Sequence, residues 1–389
     1  MRKKLKDVCM FYSGTGFPIQ YQGQTKGEYP FYKVGDIANN AIAVKIYLEL
    51  CNNYISSDVA KMIKGCILPK DTVVFAKIGE ALKLNRRAIT SCDCLIDNNA
   101  MGIAPKLDSL RIQYFYFCMK NLKMQTLAES TTVPSVRKTV LEKYEIEVPS
   151  LVEQEEIEKK LTLTQKIIEK RRQELSYLDE IIKARFVEMF GDPVKNPKGW
   201  EVVTIGDIVT EVRYGTSKPA VEGGKYPYLR MNNLTADGHL DLNDLKYIDI
   251  PDDEIEKCVV RKGDVLFNRT NSIELVGKTV VFDLQEDMII AGYIIRVRLN
   301  KRLLPEILSQ YMNLEALKDI LRSMAKGAVN QANINAQELQ SIKVYIPDME
   351  LQKQFIEMKN QVDKSKVAVQ KALDETQILF DSLMQKYFG

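Results

Sequence analysis

The feature that most constrains the fold is an internal duplication. In the last part of each half, matching residues recur at one constant offset of 198 positions. These pairs are Pro149 and Pro347, Gln154 and Gln352, Leu175 and Leu373, Phe190 and Phe388, and Gly191 and Gly389. Nearer the start of each half the offset changes, to 201 for Gly14 and Gly215 and to 192 for Cys66 and Cys258. A repeat of this period indicates two copies of one folding unit rather than a short-period solenoid.

Each copy contains two kinds of segment. Residues 1–149 and 200–347 are short β-branched and aromatic runs separated by Gly, Pro and Asn, with a helical stretch late in each, which predicts mixed α+β heads. Residues 151–190 and 349–388 lack Gly and Pro and are dense in Glu, Lys, Gln and Leu. We therefore predict an α+β chain with a first head over 1–149 and a first spacer helix over 150–191. A linker and second head over 192–347 and a second spacer helix over 348–389 complete it.

The spacer segments carry a heptad-like seam, because their apolar residues alternate at spacings of three and four, with Lys366 as an interruption. The short linker at 192–200 lets the second head start at the far end of the first helix. The two helices should therefore run antiparallel in a pseudo-twofold coiled coil. The residues predicted to form the seam or a partner contact are Ile157, Leu161, Ile168, Leu175, Leu178, Ile182, Phe355, Val362, Val369, Leu373, Phe380 and Leu383.

Composition excludes several classes of function. Lys+Arg 55 against Asp+Glu 52 leaves a net charge of +3, so a polyanion would have to be bound by locally clustered charge. The single histidine, His239, argues against histidine-based zinc sites and against serine or cysteine triads, and we expect neither metal nor cofactor. Seven cysteines without a C-x-x-C motif indicate reduced thiols in a cytoplasmic protein. The longest apolar stretch, at 288–295, is too short to span a membrane.

Three apparent catalytic motifs are incomplete, which predicts a non-catalytic chain. The sequence Val-Gly-Lys-Thr at 276–279 is similar to the end of a phosphate-binding loop, but the motif needs a glycine where the chain has Ser272. The acidic residues at 252–256 are consecutive, which is typical of a solvated helix start rather than of a nuclease centre. Pro-Pro does not occur, whereas a methyltransferase acting on an exocyclic amine would need it beside an Asn or Asp.

Donor-rich polar loops recur at comparable places in the two heads. Arg, Asn and Gln can form bidentate contacts with guanine and adenine, while Lys, Ser, Thr and backbone amides suit phosphate. Two similar heads on a stiff spacer suit the separated half-sites of a DNA duplex. Loops of this composition are also typical of plain turns. The candidate DNA-binding residues are Ser13, Gly14, Thr15, Lys33, Lys77, Arg86, Arg87, Gly215, Thr216, Ser217, Lys218, Arg230, Asn232, Asn233, Asn268, Arg269, Thr270, Asn271, Ser272, Lys278, Asn330 and Gln331.

The order of several short segments resembles the specificity (S) subunit of bacterial type I restriction-modification systems. The segments are those at 133–136, 146–149, 153–154, 261–267, 328–334, 344–347, 351–352 and 383–389. The first head departs from the family pattern, with Leu-Pro-Lys-Asp-Thr at 68–72 where the second has Arg-Lys-Gly-Asp at 261–264.

The resemblance covers the whole chain and implies two target recognition domains, each reading one half of a bipartite asymmetric site on double-stranded DNA. The helices would set the spacing of the half-sites and dock two methyltransferase (M) subunits. Catalysis would belong to the M subunits and, where the system has them, to restriction (R) subunits that translocate and cleave. The alternative function is a coiled-coil scaffold or adaptor whose heads bind protein rather than DNA.

Overall fold

The computed structural model describes residues 1–43, 45–49, 51–129, 133–325 and 332–389. The chain divides into two compact units, each of which combines one head with parts of both long helices. Unit 1 contains Met1–Arg172 and Lys371–Gly389, and unit 2 contains Gln173–Gln370. The mixed α+β class with two long helices, as predicted from the sequence, is confirmed.

The head of unit 1 is built from short strands and short helices. Its strands are β1 (Arg2–Lys4), β2 (Cys9–Ser13), β3 (Tyr29–Tyr32), β4 (Tyr47–Leu48), β5 (Tyr54–Ile55), β6 (Val73–Ala76), β7 (Arg87–Thr90), β8 (Leu95–Ile96), β9 (Ala100–Pro105) and β10 (Glu145–Glu147). Its helices are α1 (Leu5–Val8), α2 (Val34–Ile42), α3 (Ser57–Met62), α4 (Glu80–Lys83), α5 (Ile112–Asn121) and α6 (Lys138–Lys143), with 3-10 turns at Ile19–Tyr21 and Met124–Leu127. The first long helix, α7 (Leu151–Phe190), follows.

The strands of the first head form three sheets. The largest has the order β2-β9-β6-β7-β4, with β4 and β7 as its parallel pair. A smaller sheet has the order β5-β3-β8, and β1 pairs antiparallel with β10. Every residue of β6 is buried, which explains its unbroken apolar sequence, Val-Val-Phe-Ala. Leu68, Val74 and Ile96 belong to one buried cluster that includes residues of both larger sheets.

The head of unit 2 has a matching set of elements. Its strands are β11 (Glu201–Thr204), β12 (Val209–Tyr214), β13 (Tyr226–Leu229), β14 (Lys246–Ile248), β15 (Val259–Val260), β16 (Val265–Asn268), β17 (Thr270–Asn271), β18 (Thr279–Val281), β19 (Met288–Ile290), β20 (Ile294–Leu299), β21 (Ala332–Asn333) and β22 (Lys343–Ile346). Its helices are α8 (Ile205–Ile208), α9 (Asp252–Cys258), α10 (Pro305–Met312), α11 (Glu315–Met324) and α12 (Ala336–Ser341), with a 3-10 turn at Met231–Asn233. The second long helix is α13 (Met349–Phe388).

The sheets of the second head follow the same plan. One sheet has the order β12-β20-β16-β18, another has β14-β13-β19-β15, and β11 pairs with β22. The short pair of β17 and β21 is the fourth. The strand pairs that open and close each head, β1 with β10 and β11 with β22, are both antiparallel. The first strand of each head therefore lies beside the strand that leads into a long helix.

The duplication extends to the hydrogen bonds that join each head to its long helix. Gln154 Nε2 donates to the carbonyl oxygens of Ser109 and Pro149, at 2.9 Å each. Its Oε1 accepts from the backbone N–H of Arg111 at 2.8 Å. Gln352 makes the corresponding three bonds in unit 2, and both glutamines are fully buried. Because every partner is a backbone group, these joints depend on the path of the main chain rather than on neighbouring side chains.

Gln352→Ala should lower the free energy of unfolding of unit 2 by about 2–4 kcal/mol, since it removes the partners of three backbone groups, those of Leu304, Arg302 and the buried Pro347. The single tryptophan of the chain, Trp200, belongs to unit 2, so its fluorescence during urea unfolding reports this unit alone. Gln354→Ala, two residues further along the same helix on its exposed side, is the matched control. Equal midpoints for the two variants would contradict a role of Gln352 in joining head and helix.

Within unit 1 the two long helices run antiparallel. The start of α7 is bound to the head through Gln154, and the end of α13 is bound to the same head through a hydrogen bond of 2.9 Å from Asn121 Nδ2 to the Phe388 oxygen. Further along, Arg171 donates to the oxygen of Ala372 and to the hydroxyl of Thr376. The polar contact at Arg171 favours one register of the pair, as polar groups within apolar seams do.

Within unit 2 the helices also run antiparallel, with an aromatic cluster next to the head. The ring centres of Phe186 and Phe190 in α7 lie 5.2 and 5.5 Å from that of Phe355 in α13. Lys366, which interrupts the predicted seam, forms an ion pair with Asp179 of α7. The interruption therefore serves a specific polar contact between the helices.

The predicted seam residues differ in burial. Half of them are buried: Leu161, Ile168, Ile182, Phe355, Leu373 and Phe380. The other half are partly exposed: Ile157, Leu175, Leu178, Val362, Val369 and Leu383. The partly exposed group is available for the predicted partner contact, which stays a prediction.

Three further observations concern the described ranges only. No helix in them is both long enough and apolar enough to cross a membrane. The seven cysteines, all of which lie in these ranges, are free thiols. No cluster of three or more His, Cys, Asp or Glu side chains there is arranged to hold a metal ion.

Candidate nucleic-acid interface

Two donor-rich segments of the second head, at 215–218 and 268–272, lie close together at the turn that follows β12. Thr216 N donates to the Ile290 oxygen at 2.9 Å, and Gly292 N donates to the Thr216 oxygen at 2.7 Å, which fixes the turn to the end of β19. A Cβ on Gly215 would lie 2.2 Å from the Ile290 oxygen. Glycine is therefore required at 215 by the close approach of two backbones. Thr216, which is half-buried, and the exposed Ser217 are the side chains that this turn can present.

Arg269 lies beside this turn, directly after β16. Its backbone N–H donates to the Tyr293 oxygen and its carbonyl accepts from Ile334 N, both at 2.9 Å. Its guanidinium carbon lies 4.9 Å from the centre of the Tyr214 ring, and Nη1 lies 3.4 Å from the Gly292 oxygen. The partly exposed guanidinium is thus held against an aromatic ring, an arrangement that orients its remaining donors.

The next segment, β17, brings further candidates together. Thr270 Oγ1 donates to Asn333 Oδ1 at 3.0 Å, and Asn271 Nδ2 donates to Asn268 Oδ1 at 3.2 Å. Asn268 and Thr270 are buried, whereas Asn271 and Ser272 are partly exposed and can be reached by a ligand. Two further candidates, Asn330 and Gln331, lie outside the described residues.

Two other candidates are engaged inside the second head. Lys278 is only 9% exposed, and its Nζ donates to the oxygens of Leu234 at 2.7 Å and Met231 at 3.2 Å. Burial lowers the pKa of this ammonium group. Asn233 is buried as well, and its Oδ1 accepts from the backbone N–H of Arg230 at 2.8 Å. In this conformation Lys278 and Asn233 shape the loop at 230–234 rather than face solvent.

The remaining candidates of the second head lie nearer the surface. Arg230 forms an ion pair of 2.8 Å with Asp244, and Lys218 forms one of 2.8 Å with Glu254. Asn232 is exposed. Exposed ion pairs contribute little to stability, so both cations can exchange their carboxylates for phosphate at small cost.

The first head contains the same turn. Thr15 N donates to the Ile96 oxygen at 2.9 Å, as Thr216 does to Ile290 in the second head. A Cβ on Gly14 would lie 1.7 Å from the Asp97 oxygen, so Gly14 meets the same requirement as Gly215. Ser13, the last residue of β2, is exposed beside the turn.

Lys77 occupies the place in the first head that Arg269 occupies in the second. Its backbone N–H donates to the Asn99 oxygen at 2.8 Å, and its carbonyl accepts from Val136 N at 2.9 Å. Lys33 directly precedes α2, and its Nζ donates to Gln22 Oε1 and lies 5.5 Å from the centre of the Phe17 ring. Thr15 and Lys77 are thus both bonded to the segment 96–99, whereas the Lys33 side chain is held by Gln22 and Phe17.

Arg87 is a structural residue of the first head. It is 3% exposed, and its guanidinium donates to the oxygens of Met119, Leu122 and Asn85 at 3.2, 3.1 and 2.7 Å. Burial lowers the pKa of Arg87 to about 9. Of the predicted pair, only Arg86, which is partly exposed, can meet a ligand without rearrangement.

A buried charge network supports the strands from which Tyr214 and Arg269 extend. Arg296 is fully buried, and both it and Arg298 donate to Glu211 at 2.8 Å. Arg298 also bonds to Asp264 at 2.8 Å, which raises the pKa of Arg298, whereas burial lowers that of Arg296. The network ties β12, β16 and β20 together through charge-assisted hydrogen bonds.

Sequence reasoning missed three exposed side chains next to the candidates. Tyr214 is 42% exposed and its ring contacts the Arg269 guanidinium, and Tyr293 is 51% exposed and its backbone oxygen accepts from Arg269 N. The third is Asn99 of the first head, which corresponds to Tyr293 because its backbone oxygen accepts from Lys77 N as that of Tyr293 accepts from Arg269 N. Tyr214 could have been found from its position directly before the repeated Gly-Thr pair, but nothing in the sequence connects residues 99 and 293 with that turn.

Comparison with known proteins gives a consistent family. The model of the type I restriction modification DNA specificity domain matches residues 1–177 and again residues 197–376. The putative type I restriction enzyme MjaX specificity subunit of Methanocaldococcus jannaschii is 30% identical over 196 residues, 49% of this chain and 46% of that protein. The type I restriction enzyme EcoKI specificity subunit of Escherichia coli K12 is 25% identical over 286 residues, 68% of this chain and 61% of that protein. The chain thus aligns with less than two thirds of the length of either relative.

Solved structures support the fold. The S subunit of a type I restriction-modification system from M. genitalium aligns over 100% of this chain and 96% of its own, with a TM-score of 0.56 and 14% identity. A second solved structure, from a study of complex assembly and conformational transition in the type I R-M system, aligns over 100% of this chain and 97% of its own. Its TM-score is 0.59 and its identity 18%. At these identities the likeness concerns the fold alone.

Proposed function

Because the chain belongs to the family of type I restriction-modification DNA specificity subunits, we propose that it is the sequence-reading component of such a complex. Each head would bind one half of a bipartite, asymmetric site on double-stranded DNA. The observation that carries this proposal is the paired site itself. In both heads a glycine-threonine turn, fixed to a neighbouring strand, lies beside one partly exposed cation, Lys77 or Arg269.

The chemistry of this site favours DNA over a protein ligand. Partly exposed Arg, Lys, Thr, Ser and Asn side chains supply donors for phosphate and for base edges, whereas protein interfaces more often centre on a buried apolar patch. With a net charge of +3 for the whole chain, binding would depend on these local cations. A coiled-coil adaptor with protein-binding heads is the competing function.

The long helices would provide the spacing of the half-sites and the docking surface for two M subunits, with R subunits added where the system has them. Exposed apolar side chains on these helices, such as Tyr177, Ile181 and Val367, provide area for such contacts. The chain itself would carry out no catalysis, and its place would be the cytoplasm, where chromosomal DNA and the M subunits are found.

The proposal is tested by selection from a random duplex library, using the full-length chain alone and after co-purification with its M subunit. We expect enrichment of a two-part motif with a fixed gap. Affinity should fall steeply with rising salt, because each phosphate contact releases counterions. If neither preparation retained any duplex preferentially at low salt, DNA specificity would be excluded and the adaptor function favoured.

A further inference from the structure

The two candidate sites share one backbone frame but present different side chains. Three positions lie near the glycine-threonine turn in each head. One comes directly before the turn, one directly after β6 or β16, and one directly before β9 or β20. In the first head they are Ser13, Lys77 and Asn99, and in the second they are Tyr214, Arg269 and Tyr293. All six side chains are at least partly exposed.

The equivalence of these positions rests on matching hydrogen bonds. In both heads the backbone N–H of the basic residue donates to a backbone oxygen of the third position, from Lys77 to Asn99 at 2.8 Å and from Arg269 to Tyr293 at 2.9 Å. The cation's carbonyl accepts at 2.9 Å in each head, from Val136 in one case and from Ile334 in the other. The frame is thus the same in the two heads.

Side chains that vary on a constant frame are suited to specificity. In the first head the three side chains carry an ammonium group, a hydroxyl and an amide, a set that offers single hydrogen bonds. In the second head the Arg269 guanidinium carbon lies 4.9 Å from the centre of the Tyr214 ring, and the exposed Tyr293 is joined to Arg269 by a backbone hydrogen bond. A planar, pre-oriented guanidinium matches the O6 and N7 acceptors of guanine in the major groove.

Resting on the proposed function, we infer that these three positions determine which bases each head reads, and that Arg269 contacts a guanine in the half-site of the second head. Tyr214 is the positioning residue, since its ring contacts the guanidinium. Buried polar neighbours such as Lys278 and Asn233 shape the surrounding loop instead and carry no base preference.

The test uses the full-length chain with its M subunit and the bipartite motif selected by the unchanged protein. Arg269→Gln and Arg269→Ala should each abolish the preference for guanine at one base pair of one half-site, which lowers discrimination there by roughly 5- to 100-fold. The other half-site should be unchanged. Replacing that guanine with 7-deazaguanine, which lacks the N7 acceptor, should weaken binding by the unchanged protein but not by Arg269→Ala.

Arg322→Lys is the matched control, because Arg322 lies on α11 in the same head and its guanidinium is held by ion pairs with Glu315 and Asp319 of that helix. It should leave the motif intact. If both Arg269 variants bound every duplex more weakly by one common factor, or kept the guanine preference, the inference would be overturned and Arg269 would be a phosphate contact or a structural residue. A missing motif for the unchanged protein would instead overturn the proposed function, and this inference with it.

Discussion

Replacing Phe355 with alanine should destabilise unit 2 by about 3–5 kcal/mol, the range typical of deleting a buried aromatic side chain. Phe355 is fully buried, and its ring packs edge-on against Phe186 and Phe190 of the other long helix. The alanine variant loses both ring contacts and leaves a cavity at the point where the two helices meet the head. Urea unfolding followed by Trp200 fluorescence measures the change in this unit directly.

Val367→Ala is the matched control for Phe355→Ala. Val367 lies on the same helix and in the same unit but is 71% exposed, so its truncation should change stability by less than about 0.5 kcal/mol. A loss below about 1 kcal/mol for Phe355→Ala would mean that the head holds the helices together without the aromatic cluster. Phe355 lies three residues after the fully buried Gln352 on the same helix. The free-energy changes of Phe355→Ala and Gln352→Ala should therefore not be expected to add in the double variant.

Duplication and periodicity predicted much of the architecture because they depend on local spacing. The constant offset that relates Gln154 to Gln352 reflects two identical joints between a head and a helix. The first head differs in sequence from the second at 68–72, but the backbone there is similar. Asp71 and Gly263, at equivalent positions, both adopt positive φ, 63° and 93°. The backbone turn is retained although the residue types differ, and sequence comparison alone could not recover this.

The candidate site was harder to predict because its members meet only through strand order. The basic residues at 86–87 are similar to a DNA-binding patch, but Arg87 begins β7 beside the carbonyl oxygens at the end of α5, which its guanidinium satisfies. The helical stretch predicted late in the second head, at 305–324, consists of two helices, α10 and α11. Asn313, between them, donates to the Thr279 oxygen of β18 instead of continuing the helix.

Exchanging the first head for that of a relative with a different site should change one half of the recognised sequence and leave the other half intact. Each unit has its own sheets, its own buried core and its own copy of the turn, so the second site contains no residue of the first head. The exchanged chain should bind the original first half-site no better than unrelated DNA, a loss of roughly 10³-fold or more.

The structure also specifies how that exchange must be built. Gln154 bonds only to backbone groups of the head and accepts any head with the same main-chain path. The end of α13, in contrast, packs against side chains of α5, with Tyr114 against Phe388 and Phe117 against Phe380. The exchange should therefore replace residues 1–149 but keep three native side chains, those of Tyr114, Phe117 and Asn121.

Long-read sequencing of methylated DNA from cells that carry the exchanged chain and its M subunit reads both half-sites at once. The reciprocal exchange of 192–347 is the control, and it should alter the opposite half. A change in both halves, or in neither, would contradict independent heads. Because the backbone hydrogen bonds that hold each cation, Lys77 in one head and Arg269 in the other, lie within one unit, we expect each exchange to change one half-site only.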